Sequence, residues 1–174
     1  MKKLLSVTAL MLSGSVVAQT GYVGGGLALV DYSEAGISDS ASLTAIYGRL
    51  GTTFNESFSG EIRAGLGIGS DTISGGCCGD FDVEVNRLFG VYVKGGVPVS
   101  DAFFPYVVLG YTRGKVDYSR QGFSFSETES DVSFGVGADF SISDTITASV
   151  EYMNYLDKGV AEINGLSLSI VTKF

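Results

Sequence analysis

The sequence has no histidine and no tryptophan, and only two prolines and two cysteines among its 174 residues. Without imidazole it lacks the side chain whose ordinary charge change falls near neutral pH, and with it the commonest general base. Positive charge is also scarce: 11 Lys and Arg stand against 19 Asp and Glu, a net charge of −8. That balance excludes the basic footprint that nucleic acid requires. Beyond the first 18 residues, no apolar run approaches the ~20 residues of a membrane-crossing helix. Two cysteines are too few for a disulfide framework, and so little proline leaves nearly every backbone donor free to join a sheet ladder.

What is present is glycine, 25 residues of it, and alternation. The amino terminus stands apart. Lys2 and Lys3 precede the apolar stretch Leu4 to Leu12, and Val16-Val17-Ala18 offers a small-residue cleavage site. These are the three regions of a secretory signal peptide, and the stretch is too short to span a bilayer. Residues 1–18 are therefore read as a signal peptide and residues 19–174 as one domain. Cleavage would leave nine basic residues against 19 acidic ones, a net charge of −10.

The domain reads as eight strands of period 2. In the clearest of them, Ile62, Ala64, Leu66 and Ile68 alternate with Glu61, Arg63, Gly65 and Gly67. Another sets Val132, Phe134, Val136, Ala138 and Phe140 against Ser133, Gly135, Gly137 and Asp139. A mean hydropathy of +0.29 without a long apolar run fits strands with one greasy face each. Turns are expected at Asn55-Glu56, Val97 to Asp101 and Ser143-Asp144. Longer loops are expected near Asp31 to Ala41, Ser70 to Asp82, Asp117 to Asp131 and Asp157 to Glu162. Phe54, Phe58, Phe104, Phe140 and Phe174 cluster at one set of strand ends. Tyr32, Phe81, Tyr111, Tyr118 and Tyr152 lie toward the other. Two aromatic girdles of this kind mark the interfaces of a membrane barrel.

The last strand carries the most information. Leu166, Leu168 and Ile170 share a parity with the terminal Phe174, while Ser167, Ser169 and Lys173 face the other way. A strand ending on Phe resembles the C-terminal signature of bacterial outer-membrane β-barrels, with Thr172 a mild departure. Arg49-Leu50-Gly51 before a turn, and Phe104-Pro105-Tyr106 opening a strand that reaches Gly110-Tyr111, strengthen the likeness. The pattern resembles the small eight-stranded family that includes OmpX, Ail and the transmembrane domain of OmpA. The resemblance implies an all-β, antiparallel, up-and-down transmembrane barrel in the outer membrane of a Gram-negative bacterium. It implies an assembly signal at Phe174, Ile170 and Leu168, read by the barrel assembly machinery. It further implies a monomer set among outer-membrane lipid and lipopolysaccharide.

Parity sends Arg49, Glu61, Arg63, Glu84, Lys94, Asp139 and Glu151 inward. Arg49 must lie opposite Glu61 or Arg63, so a carboxylate held between two guanidinium groups is expected. An eight-stranded barrel is just wide enough to be filled by side chains. The cluster reads as a salt-bridge plug, with a gated polar pore as its rival. The enzyme families known among outer-membrane barrels use a catalytic histidine, which this chain lacks, so an enzyme is not expected; no cofactor is expected either. Cys77-Cys78, flanked by Gly75, Gly76 and Gly79, leaves open a vicinal disulfide, an incidental pair or a cross-link between copies. Two thiols without further ligands make a poor metal site. Twelve of the 19 acids fall in the four expected loops, from Asp31 to Glu162. They suit solubility, divalent-cation bridging to lipopolysaccharide phosphates, or a basic extracellular partner. The expected role is structural or surface-interacting: envelope integrity, adhesion or resistance.

Overall fold

In the computed structural model, the described residues are 20–34, 40–68, 71–74, 80–120, 123–157 and 161–174. Period-2 patterning becomes nine strand segments: β1 Gly21–Glu34, β2 Ser40–Thr53, β3 Phe58–Ile68, β4 Asp71–Ser74, β5 Asp80–Gly96, β6 Phe103–Arg120, β7 Phe123–Ser141, β8 Ile146–Asp157 and β9 Ala161–Lys173. Each pairs antiparallel with its neighbours. β3 and β4 both lie along β5, one beyond the other, so the nine segments form eight staves. β1 joins β9 on one side and β2 on the other, and β3 meets β5 to close the cylinder. Closure matters because an open edge of unpaired N–H and C=O groups cannot sit in lipid.

The outward residues form a continuous apolar band. Leu27, Leu50, Ile62, Phe89, Leu109, Val136 and Leu168 each leave roughly half of their surface open. A band of this size would drive aggregation in water; lipid is the solvent that suits it. The tight turns sit at one end. In the 54–57 turn, Asn55 Oδ1 accepts from the backbone N–H of Ser57 and of Phe58, both at 2.9 Å, which locks the reversal. In the 142–145 turn the Ser143 hydroxyl plays the same part for the Ile146 N–H at 3.1 Å.

Two expectations need correction. The segment Asp117 to Asp131 is not a loop: β6 and β7 stay paired as far as Arg120 and Phe123. The flanks of 31–41 and of 70–82 are likewise strand, at β1, β2, β4 and β5. Alternating Ser, Thr and acidic residues can continue a ladder above the membrane, because pairing there needs no apolar face. The second correction concerns Phe104. In β6 the odd residues face out, so Phe104 turns inward and packs against Tyr106 at 6.2 Å, while Phe103 takes the girdle position beside Phe140 at 5.3 Å. Tyr111 and Tyr152 are half-exposed at the other end. The side chains of Tyr32, Phe81 and Tyr118 lie outside the description.

Candidate functional site

The barrel interior has two layers. Toward the open end, Val30, Leu43, Ala45, Met153, Leu156 and Ile163 fill the lumen with apolar side chains. Toward the tight turns, the lumen holds charge. Arg49 on β2, Glu61 and Arg63 on β3, Lys94 on β5 and Glu151 on β8 are all buried, and Asp139 on β7 is nearly so. Three cations face three carboxylates, so the cluster carries no net charge. Burying a lone charge is prohibitive, whereas burying a neutral, mutually bonded set is tolerable.

Glu61 sits at the centre. Its Oε1 takes hydrogen bonds from Arg49 Nη2 and from the Tyr22 hydroxyl at 2.7 Å, with Lys94 Nζ at 3.8 Å. Its Oε2 accepts from Arg63 Nε at 2.8 Å. Arg49 and Arg63 are direct partners across the β2–β3 ladder, and the carboxylate between them removes what would otherwise be repulsion. Arg63 then reaches across the lumen to Glu151, donating from Nη1 to Oε1 and from Nη2 to Oε2 at 3.0 Å. Lys94 Nζ binds Asp139 Oδ2 at 2.6 Å, and the Ser149 hydroxyl donates to the other oxygen of Asp139 at 2.6 Å. Arg49 Nη1 closes the ring on Ser169 of β9 at 2.8 Å.

The inward tyrosines were not singled out from the sequence, yet they complete the network. The Tyr106 hydroxyl donates to Glu151 at 3.1 Å, and its ring lies 4.1 Å beneath Lys94 Nζ. The Tyr92 ring lies 4.6 Å from the Arg63 guanidinium, a stacking that suits a delocalised cation. Its hydroxyl joins Thr112 at 2.6 Å, and Thr112 joins the Ser133 hydroxyl, which donates to the Tyr155 carbonyl at 3.0 Å. Such rings fit only where the neighbouring stave has no side chain. A Cβ on Gly137 would stand 2.7 Å from the Tyr106 ring, and one on Gly110 would collide with Tyr92. The signal was available: Tyr47, Tyr92 and Tyr155 share the inward parity of Arg49, Lys94 and Glu151.

Of the seven interior charges expected, six meet in this cluster. Glu84 does not. It pairs with Asp117 near the far rim, ten positions up β5 from Lys94 and so on the order of 30 Å away; its side chain lies outside the description. Cys77 and Cys78 fall outside the described residues. Phe174, Ile170 and Leu168 all face outward, and the Phe174 N–H donates to the Gly21 carbonyl at 2.9 Å, which ties the last residue to the first strand. Among the described residues there is no group of His, Cys, Asp or Glu able to hold a metal ion. Chemically, the cluster holds charge in place: each carboxylate takes hydrogen bonds from donors on other staves.

Comparison with known proteins agrees with this architecture. Residues 4–174 match the family described as outer membrane protein beta-barrel domain. No curated protein matches the sequence. Among solved structures, Ail, the attachment invasion locus protein of Yersinia pestis, superposes with a TM-score of 0.67 at 15% identity, covering 89% of this chain and 98% of that one. Neisserial surface protein A gives 0.67 at 15% identity, with 88% and 97% covered. OprG of Pseudomonas aeruginosa gives 0.57 at 15% identity, with 90% and 96% covered. Ail has also been solved in complex with the heparin analogue sucrose octasulfate. At such identities the likeness is one of fold.

Proposed function

The chain belongs to the outer membrane protein β-barrel family, and on that footing we propose that it is a plugged, non-conducting barrel with a structural or surface-interaction role. It resides in the outer membrane of a Gram-negative cell. The observation that carries the proposal is the Arg63 fork on Glu151, which bars the lumen from wall to wall. Above it Val30, Leu43, Met153 and Ile163 fill the lumen with apolar side chains, which supports a closed interior. No catalytic step is assigned, because the interior carboxylates are all engaged by guanidinium, ammonium, phenol or hydroxyl groups.

What remains for interaction is the rim. Asp31, Asp117, Glu129, Asp131, Asp157 and Glu162 crowd the open end on paired strands that rise above the apolar band. Ordered strands present these charges at fixed spacing, which favours docking over simple solubility. The sulfated sugar on Ail is a polyanion; an acidic rim repels that class and favours a basic partner, or one bridged by divalent cations. Phe174, with Ile170 and Leu168 on the same face, is the segment we assign to the barrel assembly machinery. Liposome swelling tests the plug: proteoliposomes should swell in small sugars and amino acids no faster than empty vesicles. Faster swelling would favour the narrow-channel alternative.

A further inference from the structure

One face of the barrel departs from the apolar band. Three of the nine basic residues beyond the signal peptide form the plug; another three, Arg87, Arg113 and Lys115, gather on the outside of β5 and β6. Arg87 pairs directly with Lys115 across the ladder, and Arg113 pairs with Phe89 one step below. Arg87 and Arg113 are exposed, and neither has a hydrogen-bond or ion-pair partner among the described residues. Lys115 is held by Asp117 at 3.0 Å. Unpartnered guanidinium groups on the lipid face are tolerated only near an interface, and there they call for an anion.

Directly beneath these cations the wall is incomplete. β3 stays paired with β2 as far as Ile68, but its described pairing with β5 ends at Gly65 and Leu88. β5 is bulged between Val85 and Arg87 at the same height. The result is a recess of about 970 Å³ in the wall of β2, β3, β5 and β6. The outward side chains of Ile46, Leu66 and Phe89 border it, and the inward side chains of Tyr47 and Leu88 form its floor. A recess of this size is in the range that accepts a small ligand, ~300–1,000 Å³. Apolar below and cationic above, it has the polarity of a lipid seen from its phosphate downward.

We propose that this recess is a binding site for a phosphorylated outer-leaflet lipid of the lipid A class. The phosphate rests on Arg87 and Arg113, with Lys115 at its margin, and one acyl chain fills the wall between Leu66 and Phe89. A phosphate rather than a carboxylate is favoured because the cations come as a group, and guanidinium forks match phosphate oxygens two at a time. The site rests on the reading of the chain as an outer-membrane barrel and is independent of whether the lumen conducts.

The full-length mature protein, refolded into phosphatidylcholine nanodiscs doped with lipid A, is released in a native mass spectrometer. One retained lipid A per barrel is expected. The Arg87→Gln/Arg113→Gln pair should lower the retained fraction by about tenfold or more, the loss expected when charge-assisted bonds are removed. Ala64→Leu, which fills the recess from its lipid side and leaves every cation in place, should lower retention as well. Dephosphorylated lipid A and palmitate should bind the wild-type protein no better than phosphatidylcholine does. Equal retention in the arginine variant, equal retention in Ala64→Leu, or palmitate held as firmly as lipid A would each overturn the proposal. All substitutions are on the exposed face, and a wild-type β-sheet circular dichroism spectrum certifies the fold. Solute permeation is read separately by liposome swelling, so a failed lipid site and a failed plug give different results.

Discussion

Arg63 and Glu151 are 88 residues apart in the chain, on staves at opposite sides of the barrel, and they meet through two hydrogen bonds across the lumen. Four steps separate β3 from β8 in either direction around the wall. The pair is therefore a diameter. Because Arg63 also grips Glu61, and Glu61 gathers Arg49 and Tyr22, one guanidinium ties the diameter to the near wall. Every stave contributes a side chain to the resulting web, from Tyr22 on β1 to Ser169 on β9.

A diametric tie should show as energetic coupling. Arg63→Leu and Glu151→Leu should each destabilise the folded barrel by about 3–5 kcal/mol, since each strands a buried charge. The double variant should cost less than the sum, by about 0.5–3 kcal/mol. Urea titrations of the four proteins in one detergent measure this directly; strict additivity would mean that the two groups do not meet.

Glu61 has the most partners, so its loss leaves the most stranded. Glu61→Ala uncovers Arg49 and Arg63, neighbours across the ladder, and should lower the thermal midpoint in detergent. The expected loss is about 3–5 kcal/mol. An unchanged melt would place Glu61 outside the network.

The tyrosine layer depends on missing side chains. Gly137→Val sets a Cβ 2.7 Å from the Tyr106 ring and should cost about 1–3 kcal/mol by overpacking. At Gly48 the nearest atom to a new Cβ is 3.9 Å away, so Gly48→Ala should stay within ~0.5 kcal/mol of wild type. Similar losses at the two sites would show that the rings do not rest on glycine.

Above the membrane, Asp117 is a rim carboxylate held by several donors. Hydrogen bonds from Ser126, Lys115 and Asn86 lower its pKa to about 2. The folded value lies below the ordinary 3.8, so the stabilisation is present at pH above 3.8 and is lost as pH falls through about 2. A carboxyl-carbon NMR titration should find the midpoint near 2 in wild type and higher in Ser126→Ala. A wild-type midpoint at the ordinary value would dissolve the rim cluster.

Much of this was legible in the sequence, because a strand writes its two faces in its parity. Leu166, Leu168 and Ile170 against Ser167 and Ser169 give the direction of each side chain without reference to any other strand. The plug followed from the same rule, since charged residues of inward parity have only one another to meet. What parity could not supply is height along the barrel. Glu84 shares the parity of Lys94 in the sequence, but it stands near the far rim, and the bulge between Val85 and Arg87 breaks the parity count before it reaches Glu84. Both show only once the register with Asp117 is known. Strand ends above the band were obscure for a related reason: the flanks of β6 and β7 pair in water, where no apolar alternation is needed. Composition points Phe104 to a girdle, although its parity with Tyr106 turns it inward.

The sharpest measurement is single-channel recording of the refolded protein in planar bilayers, with Arg63→Ala alongside. The wild-type barrel should pass no current beyond the bare bilayer, because the Arg63–Glu151 diameter and the apolar layer above it both close the lumen. Discrete conductance steps from wild type, altered in size or gating by Arg63→Ala, would make the interior a path and contradict the plug.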